Sequence, residues 1–156
     1  MKEIRKAEKG DIPKIAELLY QVEEIHRKLR PDIFRNGARK YDDKELEKLL
    51  DDENAPVFVF VEDGSVLGHA FCSVKEKKND PLINDMKMLY IDDICVDEAS
   101  RGKHVGTELF EYIKKYASDV GCYNITLNVW NGNDAAFEFY KKLGMSIQRT
   151  YMELIL

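Results

Sequence analysis

A basic, glycine-containing turn lies between a β-branched run and a helical pattern. The turn contains Arg101, Gly102 and Lys103, and the helical pattern starts near Gly106. Backbone N–H groups at a helix start lack intrahelical partners, and the positive end of the helix dipole lies there. Such a turn binds phosphate through its backbone, and the two basic side chains add positive charge. The sequence therefore predicts a phosphate site over residues 101–107.

Two adjacent carboxylates, Asp92 and Asp93, interrupt an otherwise apolar strand pattern over Met86–Val96. Charges in an apolar strand are costly unless they face a polar cleft. Because successive side chains of a strand point to opposite faces, Asp92 and Asp93 lie on opposite faces of the sheet unless the strand contains a bulge. Two interpretations stay open for Asp92: a cleft-facing carboxylate that accepts a proton or holds a cation, or an ion pair with a lysine across the sheet.

Whole-chain composition predicts one folded unit over residues 1–156. Hydrophobic residues make up 44% and charged residues 34%, and no apolar run approaches the roughly 18 residues of a membrane span. The charged N-terminus predicts no signal peptide, so we expect a cytoplasmic protein without a membrane partner. The net charge of −5 gives no basic footprint for nucleic acid and favours cationic partners. Three widely spaced cysteines, Cys72, Cys95 and Cys122, predict reduced thiols and no metal site.

Strand and helix patterns alternate along the chain and predict an α/β (α+β) fold with a mixed sheet. The predicted helices begin near Asp11, Asp42, Gly106 and Asn133. The predicted strands cover residues 1–7, 57–62, 66–75, 86–96 and 125–129, with one or two closing strands over 145–156. His69, in an apolar strand, is predicted to be a satisfied structural histidine, and Trp130 to pack in the core.

Two motifs resemble those of the GNAT family of N-acetyltransferases. Arg101 and Gly106 match the ends of the family's pyrophosphate loop, in which His104 stands where a glycine is usual. The predicted last helix matches the family pattern Asn-x-x-Ala-x-x-Phe-Tyr-x-x-x-Gly at Asn133, Ala136, Phe139, Tyr140 and Gly144. The order of predicted elements agrees over nearly the whole chain. The resemblance implies a mostly antiparallel central sheet of six to seven strands, about four flanking helices and a splayed central strand.

The resemblance further implies an enzyme that moves an acetyl group from acetyl-CoA to a primary amine by direct attack in a ternary complex. It assigns protonation of the leaving thiolate to Tyr140, and to Asp92 the acceptance of the amine proton or the orientation of the amine. It places substrate contacts at His26, Asp32, Phe34 and Asp93. It assigns acetyl-CoA contacts to Ile94, Cys95, Val96, Arg101, Gly102, Lys103, His104, Val105, Gly106, Thr107, Asn133, Phe139 and Tyr140.

Several alternatives remain open about the acceptor and the activity. The acidic strand and the net charge of −5 favour a small cationic amine, whereas a protein N-terminus or lysine is the competing acceptor. A non-catalytic acyl-CoA sensor with the same fold is the competing function. The apolar closing segment Arg149–Leu156 predicts an edge that a twin chain could cover, and hence a homodimer.

Overall fold

The computed structural model describes residues 1–156, and its central sheet has five strands in the order β1-β2-β3-β4-β5. The strands are β1 (Lys2–Lys6), β2 (Val57–Glu62), β3 (Ser65–Lys77), β4 (Met86–Val96) and β5 (Asn124–Leu127). All neighbouring strands run antiparallel except β4 and β5, which are parallel. The mixed, mostly antiparallel sheet predicted from the sequence is therefore confirmed.

Helices cover both faces of the sheet. They are α1 (Ile12–Leu29), α2 (Asp43–Leu50), α3 (Val105–Asp119) and α4 (Asp134–Lys142). α1 and α2 pack on one face through a cluster of 12 buried residues, and α3 packs on the other through a cluster of 11. No helix combines the length and apolarity needed to cross a membrane.

Local signals in the first half of the chain fold as the sequence predicts. The Asp42 carboxylate accepts from the Glu45 backbone N–H at 2.8 Å and caps α2. The hairpin between β2 and β3 turns at Asp63 and Gly64, which both have positive φ (49° and 79°). This is the left-handed conformation that a tight two-residue hairpin requires, and an Asp-Gly pair adopts it readily.

The central strand β4 is bulged and only partly paired with β5. Phe71 lies opposite Asp93 but Cys72 lies opposite Ile91, so Asp92 is an extra residue on β4. On its other side, β4 pairs with β5 only from Met88 to Ile91. The strands then separate, which confirms the splayed central strand and leaves residues 92–96 without a strand neighbour on that side.

The segment over residues 145–156, called the C-terminal tail below, corrects the predicted strand count. We expected it to form one or two closing strands, but it forms none, so the sheet has five strands instead of six or seven. No backbone hydrogen bond joins residues 146–156 to the rest of the chain. A strand needs a neighbour to supply its hydrogen bonds, and no strand of this chain lies against the tail.

Candidate active site

The bulge in β4 brings Asp92 and Asp93 to the same side of the sheet. Lys40, from the loop before α2, donates to Asp92 Oδ1 at 3.4 Å. Burial alone would lower the pKa of Lys40, but the charges of Asp92 and Asp93 raise it above its ordinary value. Asp92 thus has the lysine partner that its second interpretation required, although this lysine comes from a loop instead of a neighbouring strand.

Asp93 is the carboxylate with the stronger perturbation. Its burial raises the pKa from 3.8 to about 6, while the positive charges of Lys40 and His26 oppose that rise and the negative charges of Glu23 and Asp92 add to it. A group with a pKa near 6 is ionised at neutral pH and accepts protons efficiently there. The geometry therefore favours Asp93 over Asp92 as a proton acceptor, whereas the sequence favoured Asp92.

Aromatic side chains from three segments form a wall beside this carboxylate pair. The ring centroids of His26 and Phe34 are 5.2 Å apart, and Trp130 packs edge-on against Phe34 at 5.2 Å. His26 Nδ1 lies 3.6 Å from Glu23 Oε2. Trp130 is 36% exposed, so its predicted place in the core was wrong. Its ring lies over Phe34 because Asn131-Gly132 turns the chain at the surface directly after it.

Asp32 lies on the same loop but is held by a neighbour. Its carboxylate accepts from Arg30 Nε at 2.9 Å and from Arg30 Nη2 at 2.7 Å. Arg30 also pairs with Glu153 of the C-terminal tail. Asp32 therefore positions Arg30 at the end of α1, and its contact with substrate stays a prediction.

Tyr140 brings a proton donor toward the site from α4. Burial raises the pKa of its hydroxyl well above the ordinary value, and the charge of Asp93 raises it further. Its ring lies 5.1 Å from the ring of Phe139 and 6.3 Å from that of Phe110. The phenol is therefore fully protonated at neutral pH, which is the state that a general acid requires.

The predicted phosphate loop has the backbone that its sequence pattern demands. His104 adopts φ 63° and ψ 17°, so the histidine takes the left-handed conformation in which a glycine is usual. α3 begins at the next residue, Val105, whose side chain is buried. Val105 can therefore contact a ligand only through its backbone. Arg101 and Lys103 are exposed at the mouth of the loop.

Gly106, in the first turn of α3, is where this region packs against α4. A Cβ at position 106 would lie 3.1 Å from Phe139 Cζ and 3.6 Å from Val96 Cγ2. The missing side chain thus lets Phe139 pack on the first turn of α3. Asn133 is the N-cap residue of α4, and its Oδ1 accepts from the Ala136 N–H at 3.3 Å. The structure therefore gives Phe139 a packing role and Asn133 a capping role, and their contacts with acetyl-CoA stay predictions.

The backbone of Ile94–Val96 is available on one edge. These residues pair with β3 on one side and have no strand on the other. The Cys95 thiol is buried and donates to Leu18 O at 3.2 Å, so its side chain is structural. An extended ligand arm can add to such an edge through main-chain hydrogen bonds. Together with the loop before α3, the open edge fits a pantetheine arm that ends in a pyrophosphate, as the residues over 94–107 predict.

Some residues near the site escaped the sequence analysis. Lys40 lies in a loop without periodicity, so no pattern indicated that it would reach Asp92. Glu23 could have been found from its i, i+3 spacing to His26 on α1. His69 is fully buried as expected, but neither ring nitrogen has a hydrogen-bond partner, so the predicted satisfied histidine was wrong. Burial lowers the pKa of His69 to about 3, which keeps its ring neutral.

Comparison with known proteins gives the same family as the motifs. Residues 19–145 match the model of the acetyltransferase (GNAT) family. The chain is 35% identical over 65 residues to glucosamine 6-phosphate N-acetyltransferase of Arabidopsis thaliana, covering 42% of each protein. It is 34% identical over 56 residues to thialysine N-epsilon-acetyltransferase of Bos taurus, covering 36% of this chain and 33% of the relative. These matches span less than half the length of each curated relative.

A solved structure matches over much more of the chain. The crystal structure of a variant of the BH1408 protein from Bacillus halodurans shares 34% identity, with a TM-score of 0.94 and 99% of both chains covered. The architecture described above is therefore present in a crystal structure of a related protein.

Proposed function

Since the chain belongs to the GNAT acetyltransferase family, we propose that it transfers an acetyl group from acetyl-CoA to a primary amine. The observation that carries this proposal is the open edge of β4, which includes Asp93, a carboxylate with a pKa of about 6. The protonated phenol of Tyr140 lies near enough to Asp93 that, besides burial, the carboxylate charge raises the pKa of the phenol. Acyl transfer to an amine needs one group that removes a proton and one that supplies a proton. The two groups have the protonation states that these roles require at neutral pH.

Acetyl-CoA supplies the thioester carbon that the amine attacks. The loop of Arg101–Gly106 would hold the pyrophosphate, and those N–H groups of Ile94–Val96 that point away from β3 would hold the pantetheine arm. The exposed basic side chains of Arg101 and Lys103 support this placement. Main-chain N–H groups on the same edge would polarise the thioester carbonyl.

The proton transfers follow from the two perturbed groups. Asp93 accepts the proton of the ammonium or of the attacking amine, directly or through water, as the new N–C bond forms. The C–S bond then breaks, and Tyr140 donates its proton to the departing thiolate sulfur. Asp92, which pairs with Lys40, adds a second carboxylate to the pocket.

The charge of the pocket favours a small cationic amine as acceptor. Three carboxylates, Glu23, Asp92 and Asp93, surround the single ammonium of Lys40 and the imidazole of His26. Negative charge of this kind attracts a cationic acceptor. The aromatic wall of Phe34 and Trp130 offers apolar surface for the carbon skeleton of that acceptor. The two curated relatives are both named as N-acetyltransferases, one of glucosamine 6-phosphate and one of thialysine.

A thiol-release assay with acetyl-CoA tests the proposal. The acceptor panel contains polyamines, amino sugars, free lysine analogues, and peptides with a free N-terminus or an internal lysine. We expect CoA release with small cationic amines and little release with peptides. Release with peptides alone would contradict the small-amine assignment. Tight acetyl-CoA binding by calorimetry without release on any acceptor would identify a sensor and overturn the enzymatic proposal.

A further inference from the structure

Lys40 places a primary amine of the chain itself inside the candidate active site. Its Nζ lies 3.4 Å from Asp92 Oδ1, and its side chain is 39% exposed. The charges of both Asp92 and Asp93 act on this ammonium. Asp93 is the group to which the proposed function assigns the removal of a proton from an amine. The amine of Lys40 therefore lies beside the group that would deprotonate an acceptor.

The residues on both sides of Lys40 are held by contacts of their own. Arg39 Nη2 donates to Asp43 Oδ1 at 2.6 Å. The ring of Tyr41 stacks with that of Phe71 at 5.6 Å between centroids and packs against the first core cluster. Between these two fixed neighbours, the ammonium of Lys40 lies at the end of a flexible four-carbon chain. The loop before α2 thus presents this amine to the pocket, and the side chain keeps freedom to move within it.

Other lysines also pair with carboxylates, but outside this pocket. They are Lys2, Lys14, Lys78, Lys114 and Lys115. Lys78 has the same geometry as Lys40, because its Nζ lies 3.4 Å from Glu76 Oε1, and its side chain is 67% exposed. An ion pair alone therefore does not distinguish Lys40. The distinguishing feature is the proton acceptor and the proton donor beside it.

Asp93 links the amine to the proton donor. Its charge acts on the ammonium of Lys40 and also on the phenol of Tyr140. One pocket thus contains an amine, a group that removes a proton and a group that supplies one, which are the groups that acyl transfer to an amine needs. An amine that is already attached to the enzyme also avoids the loss of translational freedom that a free acceptor undergoes on binding.

We propose that Lys40 is a modification site at which the chain acetylates itself, taking the acetyl group from the acetyl-CoA bound to the same copy. This inference rests on the proposed function, because it uses the same acetyl donor and the same two proton-transferring groups. It goes beyond that function in naming an acceptor within the chain.

The protons and bonds of this step balance as follows. Asp93 takes one proton from the ammonium of Lys40 and later releases it to solvent. The neutral amine attacks the thioester carbon, the N–C bond forms, and the C–S bond breaks as Tyr140 donates its proton to the thiolate. The second proton that the nitrogen loses restores the phenol of Tyr140, directly or through water. The products are a neutral amide at Lys40 and free CoA, so the pocket loses its lysine charge.

Mass spectrometry of peptides tests the proposal after the full chain is incubated with acetyl-CoA and no added acceptor. The acetylated fractions of Lys40 and Lys78 are followed over time in the same sample. We expect Lys40 to react about 10-fold faster than Lys78 or more, because only Lys40 has the two proton-transferring groups beside it. Equal rates at the two lysines would show chemical acetylation only and would overturn the proposal.

Two further measurements identify the groups and the copy that react. Tyr140→Phe should slow the acetylation of Lys40 about 10-fold or more and leave that of Lys78 unchanged. An unchanged rate at Lys40 would overturn the proposal. The rate constant at Lys40 should not depend on protein concentration. A rate constant that rises with concentration would mean that another copy transfers the acetyl group, which would also overturn the proposal.

The thiol-release assay separates this inference from the proposed function. CoA release with an added amine but no acetyl group on Lys40 would overturn the inference and leave the proposed function intact. Acetylated Lys40 without release on any added amine would support the inference and contradict the small-amine acceptor. The absence of both reactions in a chain that binds acetyl-CoA would overturn both.

Discussion

The two sides of the candidate active site are held in very different ways. On the side of Asp93 and His26, α1 and α2 pack on the sheet through a cluster of 12 buried residues. On the side of Tyr140 and Trp130, neither β5 nor α4 contains a buried residue, and residues 146–156 of the tail are all exposed. The proton acceptor therefore lies on a firm layer with many buried residues, whereas the proton donor lies on a helix whose residues are all partly or fully exposed.

Because of this difference, the two sides of the site affect different properties: the pKa of the proton acceptor and the position of the proton donor. The pKa of Asp93 depends first on its burial on the firm side, and then on the charges of Lys40, His26, Glu23 and Asp92. The position of Tyr140 depends on α4, whose Phe139 packs on Gly106 and whose Tyr140 packs against the second core cluster. Substitutions on the two sides should therefore have different signatures: chemical and pH-dependent on the first, and structural on the second.

The largest effect is expected on the firm side, from Asp93→Asn. Loss of the proton acceptor should lower kcat/KM by about 10²–10⁴-fold at neutral pH. The wild-type rate should rise with pH through about 6, the pKa of Asp93, and this rise should disappear in the variant. Steady-state kinetics from pH 5 to pH 9 measure both. Asp92→Asn is the matched control, because its carboxylate already pairs with Lys40, and we expect less than a 10-fold loss.

The same variant should be more stable than the wild type at high pH. The folded-state pKa of Asp93 lies above its ordinary value of 3.8, so the folded protein binds this proton more tightly than the unfolded chain does. Wild-type stability should thus fall as the pH rises from about 4 to about 6. Above pH 6, Asp93→Asn should raise the free energy of unfolding by about 1–3 kcal/mol. Denaturant titrations at pH 4 and pH 8 check this, and equal gains at both would contradict it.

The next effect concerns the proton donor on the loosely held side. Tyr140→Phe should lower kcat by about 10–100-fold while leaving acetyl-CoA affinity unchanged, because the phenol acts only as the thiolate leaves. Tyr116→Phe is the control, since burial also raises the pKa of Tyr116 but its ring packs in the second core cluster. Equal kcat values for Tyr140→Phe and the wild type would remove Tyr140 from the mechanism.

A moderate effect is expected where the loosely held side is anchored. In Gly106→Val the added atoms crowd the ring of Phe139, since a Cβ alone would lie 3.1 Å from Phe139 Cζ, so this ring must move away from the first turn of α3. We expect a loss of about 1–3 kcal/mol in the free energy of unfolding and a weaker affinity for CoA by calorimetry. Gly10→Ala is a fitting control, since a Cβ at Gly10 meets no atom within 4 Å. Unchanged CoA affinity would show that the loop does not depend on this packing.

The smallest effect is expected from Lys40→Gln on the firm side. The charge of Lys40 holds down the pKa of Asp93, so its removal should shift the rising limb of the pH-rate profile to higher pH. The maximal rate at alkaline pH should stay close to that of the wild type. Lys115→Gln, which breaks an exposed pair with Asp119 far from the site, should leave the profile unmoved. A shift to lower pH would contradict the charge arrangement described here.

Much of the fold could be predicted because its signals are local. The capping pair of Asp42 and Glu45, the Asp63-Gly64 turn and the helical periodicities each involve residues close in sequence. The backbone of the loop before α3 was also predictable, since its conformation depends on a strand, a turn and a helix start in succession, whereas its binding of phosphate stays a prediction. The structure even retains the left-handed backbone at His104, where the histidine left that conformation in question.

The rest depends on contacts between residues that are distant in the sequence. Lys40 and Asp92 are 52 positions apart in the sequence, so no periodic pattern indicates that they pair. The sequence favoured Asp92 over Asp93 as the proton acceptor, whereas burial raises the pKa of Asp93 to about 6 and favours Asp93. The sequence of one strand does not show how deeply each of two adjacent residues is buried. The tail has the apolar composition of a strand, but a strand forms only where a neighbour supplies its hydrogen bonds, and residues 146–156 make no backbone hydrogen bond to the rest of the chain.

The extra residue in β4 has a consequence for how this protein tolerates insertions and deletions. Side chains along a strand alternate with a period of two, so one added position inverts the parity of all that follows. Here the inversion is what brings two consecutive carboxylates to one face. A single-codon deletion at Asp92 would leave a well-paired strand and an intact core pattern, yet the carboxylate pair would be lost. In lineages that diverge from this chain, the length of β4 between Ile91 and Ile94 should therefore be inherited more strictly than the identity of its residues.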